Sequence, residues 1–344
     1  MDIPLVTVLM PVYNGEKFLV EAVESIISQT YTNIEFIIID DGSTDGTAVI
    51  LARCQGQDER INIISQSNQG LVASLNRGLE AARGKYLARM DADDVSSPNR
   101  IRQQVDYLER NPESVLLGSA YELIDEDGNF IRMDRHPSHD TEIRWQMLFH
   151  NSFAHSAVML RVDTLRKYNF KYDPEIVQAE DYELWSRLIQ YGRCGNLDQP
   201  LIKRRIGSMQ KSALAGNQIS FYADQISALN IKRLGVTVDF SSIPQLKTWY
   251  YRFPGSSKGT EIPVLVLLLQ ILNAFSRQSG LNSGEVRLIR GRWLLKILAL
   301  HSLRQRHPLW KLGLLSYFRP GDLVSALDYV RRRKLYNVRI PENE

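Results

Sequence analysis

The sequence predicts an α/β protein: a doubly wound, Rossmann-like mixed sheet flanked by helices, with a helical C-terminal region. Three observations carry that expectation. Short, nearly continuous apolar runs alternate with segments of helical period through the first ninety residues, the order of parallel strands joined by crossover helices. Three of those runs end in polar or acidic clusters, which places the clusters where open α/β sheets bind ligands. Beyond residue 210 only helical patterns and loops follow.

The elements follow in order. Residues 5–10 are an apolar run ended by Pro11, expected to be a strand buried on both faces. Phe18, Leu19, Ala22, Val23, Ile26 and Ile27 then fall at helical spacing. Residues 34–39 form a second strand that ends in Asp40-Asp41-Gly42-Ser43. A helix over 47–53, a strand over 61–65, a helix over 70–83 closed by Gly84 and a strand over 85–90 complete the β-α alternation. Next come a helix over 99–110, stopped by Asn111-Pro112, and strands over 115–124 and 130–133 around an Asp125-Glu126-Asp127-Gly128 turn, so the sheet becomes mixed. A strand over 156–160, an amphipathic helix over 180–191 and a last strand over 201–205 end the first domain, expected over residues 1–210.

Two cysteines, Cys54 and Cys194, form neither a disulfide framework nor a metal cluster, and fit a reducing compartment. The start lacks the basic and apolar regions of a signal peptide, so a cytoplasmic location is expected. The formal charge of +3 is a compensation: residues 1–200 carry −12 and residues 201–344 carry +15. Such asymmetry suggests that the C-terminal part faces something anionic.

The chemistry concentrates at Met90-Asp91-Ala92-Asp93-Asp94, where three carboxylates lie within four residues at a strand's end. Acids so close tolerate one another best around a hard divalent cation, Mg²⁺ or Mn²⁺, shared with substrate phosphates. A solvated acidic turn, with Ser96, Ser97 and Pro98 starting the next helix, is the plainer alternative. The chain has no G-x-G-x-x-G after its first strand and no G-x-x-x-x-G-K-[ST], which argues against a dinucleotide site and a P-loop. A nucleoside diphosphate held through a cation at Asp93 fits better, with Asp41 accepting from base or ribose.

Five segments, V-L-M-P-V-Y-N-G, Q-T-Y-T-N-I-E-F-I-I-I-D-D-G-S-T-D-G-T, N-Q-G-L-V-A-S-L-N-R-G-L, A-R-G-K-Y-L-A-R-M-D-A-D-D and A-E-D-Y-E-L-W, occur in this order over about residues 4–205. Together they resemble family 2 glycosyltransferases of GT-A fold. The resemblance implies an inverting transfer of one sugar from a nucleoside diphosphate sugar, most simply a UDP-sugar, to a glycan or lipid-linked acceptor. It implies that Pro11, Tyr13 and Asn14 line the nucleotide pocket and that Asp41 contacts the base. Asp93 is implied as the metal ligand, Asp91 as a contact nearer the ribose or sugar, and Asp181 as the catalytic base. A base suits such a reaction, because one carboxylate must deprotonate the attacking hydroxyl. Glu180 is its neighbour and rival, and both acids also suit a helix start. His155, Trp185 and Arg77 are further candidates, each equally readable as structural; Asp45 reads as a helix cap.

The chain also departs from the family's pattern. The Arg-x-His segment that many members carry after the last strand is here Lys203-Arg204-Arg205-Ile206-Gly207-Ser208, which leaves two alternatives: Arg204, Arg205 or Lys211 neutralises the diphosphate instead, or the dependence on metal is weaker. The Q-x-x-R-W string of processive synthases has only Gln245-Leu246-Lys247-Thr248-Trp249 as a counterpart, which favours addition of a single sugar.

Residues 262–275 are strongly apolar but fall short of the roughly 20 residues a spanning helix needs. An apolar patch over 293–300 is ringed by Arg287, Arg290, Arg292, Lys296 and Arg304, and Arg331-Arg332-Arg333-Lys334 follows. Basic amphipathic helices of this kind lie on anionic membrane surfaces. The expectation is therefore peripheral attachment at the inner face of the plasma membrane, in surface polysaccharide assembly, against a simple helical cap over residues 211–344. Two other classes fit less well. A nucleotidyltransferase lacks its glycine-rich basic loop here, and a non-catalytic sugar-nucleotide scaffold has no chemical reason to keep Asp91, Asp93 and Asp181 together. No nucleic-acid-binding motif accompanies the basic stretch.

Overall fold

A computed structural model describes residues 3–207, 216–251, 261–304, 321–322 and 324–325. Strands β1 (Val6–Val12), β2 (Ile34–Asp40), β3 (Ile61–Ser65) and β4 (Tyr86–Arg89) run parallel in the order β3-β2-β1-β4. β1 and β2 are buried at every position, as their largely apolar sequences lead one to expect of a central parallel sheet, and the buried Thr7 and Glu35 bond to each other. Helices α1 (Leu19–Ile27), α2 (Thr47–Gln57) and α3 (Leu71–Ala81) provide the crossovers. Gly78 of α3 sits where a Cβ would approach Leu9 Cδ1 to 2.0 Å, so this helix packs on β1 only with a hydrogen there.

The chain continues through β5 (Val95–Ser96), α4 (Arg100–Arg110), β6 (Ser114–Ile124), β7 (Phe130–Asp134), α5 (Asp140–Gln146), β8 (Met159–Arg161), α6 (Val162–Lys167), α7 (Glu180–Leu188) and β9 (Arg193–Arg205). The sheet extends as β4-β8-β6-β9-β5, with β7 also paired to β6, and it is mixed. β8 lies antiparallel between β4 and β6, while β9 runs parallel to β6.

Three local expectations need correction. The strand expected over 156–160 is a 3₁₀ turn at His155–Ala157 followed by a three-residue strand. The last strand begins at Arg193, eight residues earlier than expected, and shifts register against β6 at Ser119–Tyr121. Val95–Ser96, read as the approach to a helix, pairs with Ile202 and Lys203.

The chain forms two compact units, Met1–Ile143 with Asn151–Ile226, and Arg144–His150 with Ser227–Glu344. The described part of the second is helical: the end of α8 (Gly216–Arg233), then α9 (Ile243–Tyr251), α10 (Glu261–Phe275) and α11 (Ser283–Arg304). Its core joins Trp145 and Phe149 to Leu268, Leu269, Leu272 and Trp293. Of the side chains that the sequence offered to a membrane, Trp293 is 3 % exposed and Arg290 is buried in an ion pair with Asp322 at 3.0 Å, whereas Arg287 is exposed. No helix among the described residues is long and apolar enough to cross a membrane. Lys211 and Arg331 to Lys334 lie outside the described residues.

Candidate active site

The site is built on the carboxyl ends of β1, β2 and β4 and on the start of α7. Pro11 is buried inside β1, Tyr13 is exposed just beyond it, and Asn14 holds a left-handed φ of 52°. Asn14 fastens two strand ends together: its Oδ1 accepts from Thr44 N at 2.8 Å, and its own N–H donates to Ser43 Oγ at 3.0 Å. Gly42, at φ 73°, turns the chain where a Cβ would come within 2.7 Å of Asn68 N. Asp45 accepts from Thr47 N and Glu16 N, a capping role for the next helix.

Asp41 is 4 % exposed, and its carboxylate is well used. It accepts from Gln66 Nε2 at 2.7 Å and from Gln69 N and Gly70 N at 2.8 Å each, so it orders the loop leading into α3. Arg77 donates to Gln66 Oε1 from the same helix.

At the end of β4, ligand oxygens of Asp91, Asp93 and Asp94 all lie within 4.8 Å of one another. Asp94 is 1 % exposed; Oδ1 accepts from Arg205 N at 2.9 Å, while Oδ2 is buried without a hydrogen-bond partner among the described residues. An orphaned carboxylate oxygen beside two more carboxylates is a donor set that fits a hard divalent cation. Their electrostatics differ. Burial alone would raise the Asp91 carboxyl, but Arg89 in contact with it holds it far below the usual carboxylate range. Burial and then the charge of Asp91 push Asp93 up to about 6, and burial, Asp91 and Asp93 push Asp94 up to about 7.

Two cations near these acids were invisible as such in the sequence. Arg89, read as part of an apolar strand, is 2 % exposed and touches Asp91 and Ser156 Oγ. Arg100, 0 % exposed, donates to the carbonyl of Arg89 at 2.7 Å; burial first, then Arg89, lowers it to about 9. The available signal was the charge itself: Arg89 stands two residues before the acids in a strand buried at all four positions.

Of the basic residues after the last strand, Arg205 is committed to structure. It donates to the carbonyls of Asp93, Asp125 and Glu126, pairs with Glu21 and packs over the Phe18 ring. Arg204 serves the other side in charge terms: against burial, which lowers it, Tyr121, Asp94, Asp91 and Asp181 all act on it and raise it.

On the other side, α7 opens with Glu180 and Asp181 immediately after Ala179, whose φ of 81° is strained for a residue with a Cβ. Asp181 accepts from Asn151 Nδ2 at 2.8 Å and from Tyr182 N at 2.6 Å. Burial outweighs these bonds and raises its carboxyl. Glu180 is 7 % exposed and is pushed up to about 7 by burial and by Asp181. His155 lies 3.8 Å from Glu180 and 3.0 Å from the Tyr172 hydroxyl; burial, then Arg89, keeps it neutral. Trp185 is fully buried edge-on to His155 and Tyr172, so it is core.

Known proteins share the chain's sequence pattern and fold. A family model described as glycosyl transferase family 2 matches residues 7–169. An uncharacterized glycosyltransferase of Haemophilus influenzae is 36% identical over 237 residues, 66% of this chain and 73% of the relative. The putative glycosyltransferase EpsE of Bacillus subtilis is 37% identical over 206 residues, 59% of this chain and 73% of EpsE. Among solved structures, S. aureus TarS 1-349 in complex with UDP-GlcNAc aligns with a TM-score of 0.56 at 16% identity, over 86% of each chain. The mannosyltransferase PcManGT of Pyrobaculum calidifontis, in complex with GDP-Man and Mn²⁺, aligns at 0.53 and 14% identity, over 96% of this chain and 88% of that one. At such identities these two speak for the fold.

Proposed function

The chain belongs to glycosyl transferase family 2, and on that premise we propose that it is an inverting, metal-dependent enzyme adding a single sugar from a nucleoside diphosphate sugar to a hydroxyl of a glycan or lipid-linked acceptor. The observation that carries the reading is the set of three carboxylate ligand atoms within 4.8 Å at the end of β4, with a second acidic pair at the start of α7.

In this reading Asp93 is the direct ligand of Mn²⁺ or Mg²⁺, with Asp94 beside it. When bound, the cation offsets the negative charge that grows on the departing diphosphate. Pro11, Tyr13 and Asn14 border the nucleotide; Asp41 shapes that pocket through the loop to α3 and keeps its base contact as a proposal. Asp91 faces the ribose or the sugar. The acceptor oxygen attacks the anomeric carbon, the bond from that carbon to the diphosphate oxygen breaks, and Asp181 takes the acceptor's proton. Asn151 and the Tyr182 amide hold that carboxylate in place, and its raised pKa makes the ionised form a better base. Arg204 supplies positive charge where the family's histidine is missing.

UDP-GlcNAc with TarS and GDP-Man with PcManGT make UDP and GDP sugars the first donors to try. The charge of +15 over residues 201–344 supports an anionic, membrane-borne acceptor and a role in surface polysaccharide assembly at the inner membrane face. The test is release of nucleoside diphosphate from UDP- and GDP-sugars with Mn²⁺. Turnover in the wild type that Asp181→Asn removes is expected; equal release by both proteins would overturn the base assignment.

A further inference from the structure

Resting on the reading of Asp91 as a donor contact, we propose that Arg89 is a positioning residue for the glycosyl donor. With Ser156 it captures one oxygen of the Asp91 carboxylate and leaves the other presented to the sugar nucleotide.

The geometry is specific. Arg89 is the last residue of β4, and its guanidinium lies inside the protein, 2 % exposed. A charge taken out of water at that depth is costly unless it is paired. Its Nη1 meets Asp91 Oδ2 and Ser156 Oγ, and the Ser156 hydroxyl donates to that same Oδ2. Both contacts fall on one oxygen. Asp91 Oδ1 has no hydrogen bond among the described residues, on a side chain that is half-buried. Arg89 Nε is buried without a partner among the described residues, so the guanidinium sits where Asp91 and Ser156 hold it rather than where all its donors are satisfied. Its backbone is fixed as well, since Arg100 Nη2 donates to the Arg89 carbonyl at 2.7 Å and to that of Val158 at 3.2 Å. The 3₁₀ turn at His155–Ala157, which replaces the strand expected there, is what brings Ser156 to this point.

The loss of an ion pair that served folding alone would leave donor recognition unchanged in a folded protein. Lysine at position 89 would keep the charge but lose the planar guanidinium. Ser156→Ala removes a single hydroxyl and leaves the charges in place.

The experiment measures binding of UDP-GlcNAc and GDP-mannose in Mn²⁺ to the wild type and to Ser156→Ala, Arg89→Lys and Asp91→Asn, alone and paired with Asp91→Asn. Binding of Mn²⁺ alone and the unfolding temperature are measured alongside. The expected result is that Ser156→Ala and Arg89→Lys each weaken the sugar nucleotide roughly tenfold while Mn²⁺ binding is unchanged. Neither should add further loss in the Asp91→Asn background. Losses that add, or sugar-nucleotide affinity within about twofold of wild type in folded Ser156→Ala, would overturn the proposal. If Asp91→Asn itself binds donor like the wild type, the donor reading of Asp91 fails and takes the proposal with it.

Discussion

The acids at the end of β4 and the acids at the start of α7 are both crowded and buried, yet they behave differently. At β4 a guanidinium touches one carboxylate, and the group splits: Asp91 is held ionised while Asp93 and Asp94 rise to about 6 and about 7. At α7 no Lys or Arg among the described residues touches the pair; a backbone amide and Asn151 are the partners of Asp181, and both carboxyls rise. A cation in contact overrides desolvation, whereas neutral hydrogen bonds only reduce it. The first arrangement suits holding charge for a metal and a donor; the second suits a group that must accept a proton.

The largest effect should come from breaking the α7 side. Asp181→Asn is expected to lower transfer by about 10²–10⁴-fold, the usual contribution of a general base, with nucleotide binding nearly intact. Nucleotide affinity and turnover, measured on the same preparation, check this. Breaking the β4 side should reverse the pattern: Asp93→Ala is expected to lose the Mn²⁺-dependent part of nucleotide binding in a titration with and without the metal.

A subtler contrast lies in stability. Asp94 is raised to about 7 in the folded chain against roughly 3.9 in an unfolded one. Its favourable contribution is therefore complete below about pH 4 and lost as pH rises through 7. Half-buried His136, lowered to about 4, and His150, lowered to about 3, act in the opposite direction, losing stability as pH falls below about 6.5. A difference measurement separates them: metal-free Asp94→Asn should melt above the wild type at pH 8, with the gap shrinking at pH 5. Asn keeps the oxygen that accepts from Arg205 N. The smallest effect is expected for Glu180→Gln, a few-fold change in turnover, because Glu180 lacks the Asn151 contact that holds Asp181; a collapse of activity would make Glu180 the base.

The parts of this contrast that the sequence could carry are those with a local signature. β1 and β2 are nearly continuous apolar runs, the usual look of a strand buried on both faces. The acids after β4 and the Glu180-Asp181 pair announce themselves by composition. The opening of β9 did not, because Gly195, Asn196, Asp198 and Pro200 are poor strand formers, and only pairing with β6 makes that stretch extended. Nor could spacing distinguish Arg204 from Arg205, adjacent residues that point to opposite faces of a strand. One ties together loops at Asp93 and Glu126, and the other is left near the acids. Ser156 falls at the start of an expected strand and Asn151 in no expected element, and only the tertiary fold shows which carboxylate each one meets.

The division of labour between the two acidic groups is tested most directly by calorimetric titration of UDP and GDP into the wild type, Asp93→Ala and Asp181→Asn, each with and without Mn²⁺. The expected result is Mn²⁺-dependent binding of one nucleotide to the wild type, retained in Asp181→Asn and lost in Asp93→Ala. Binding that is indifferent to Mn²⁺, or that survives Asp93→Ala unchanged, would contradict the assignment of the β4 acids to the metal and the donor.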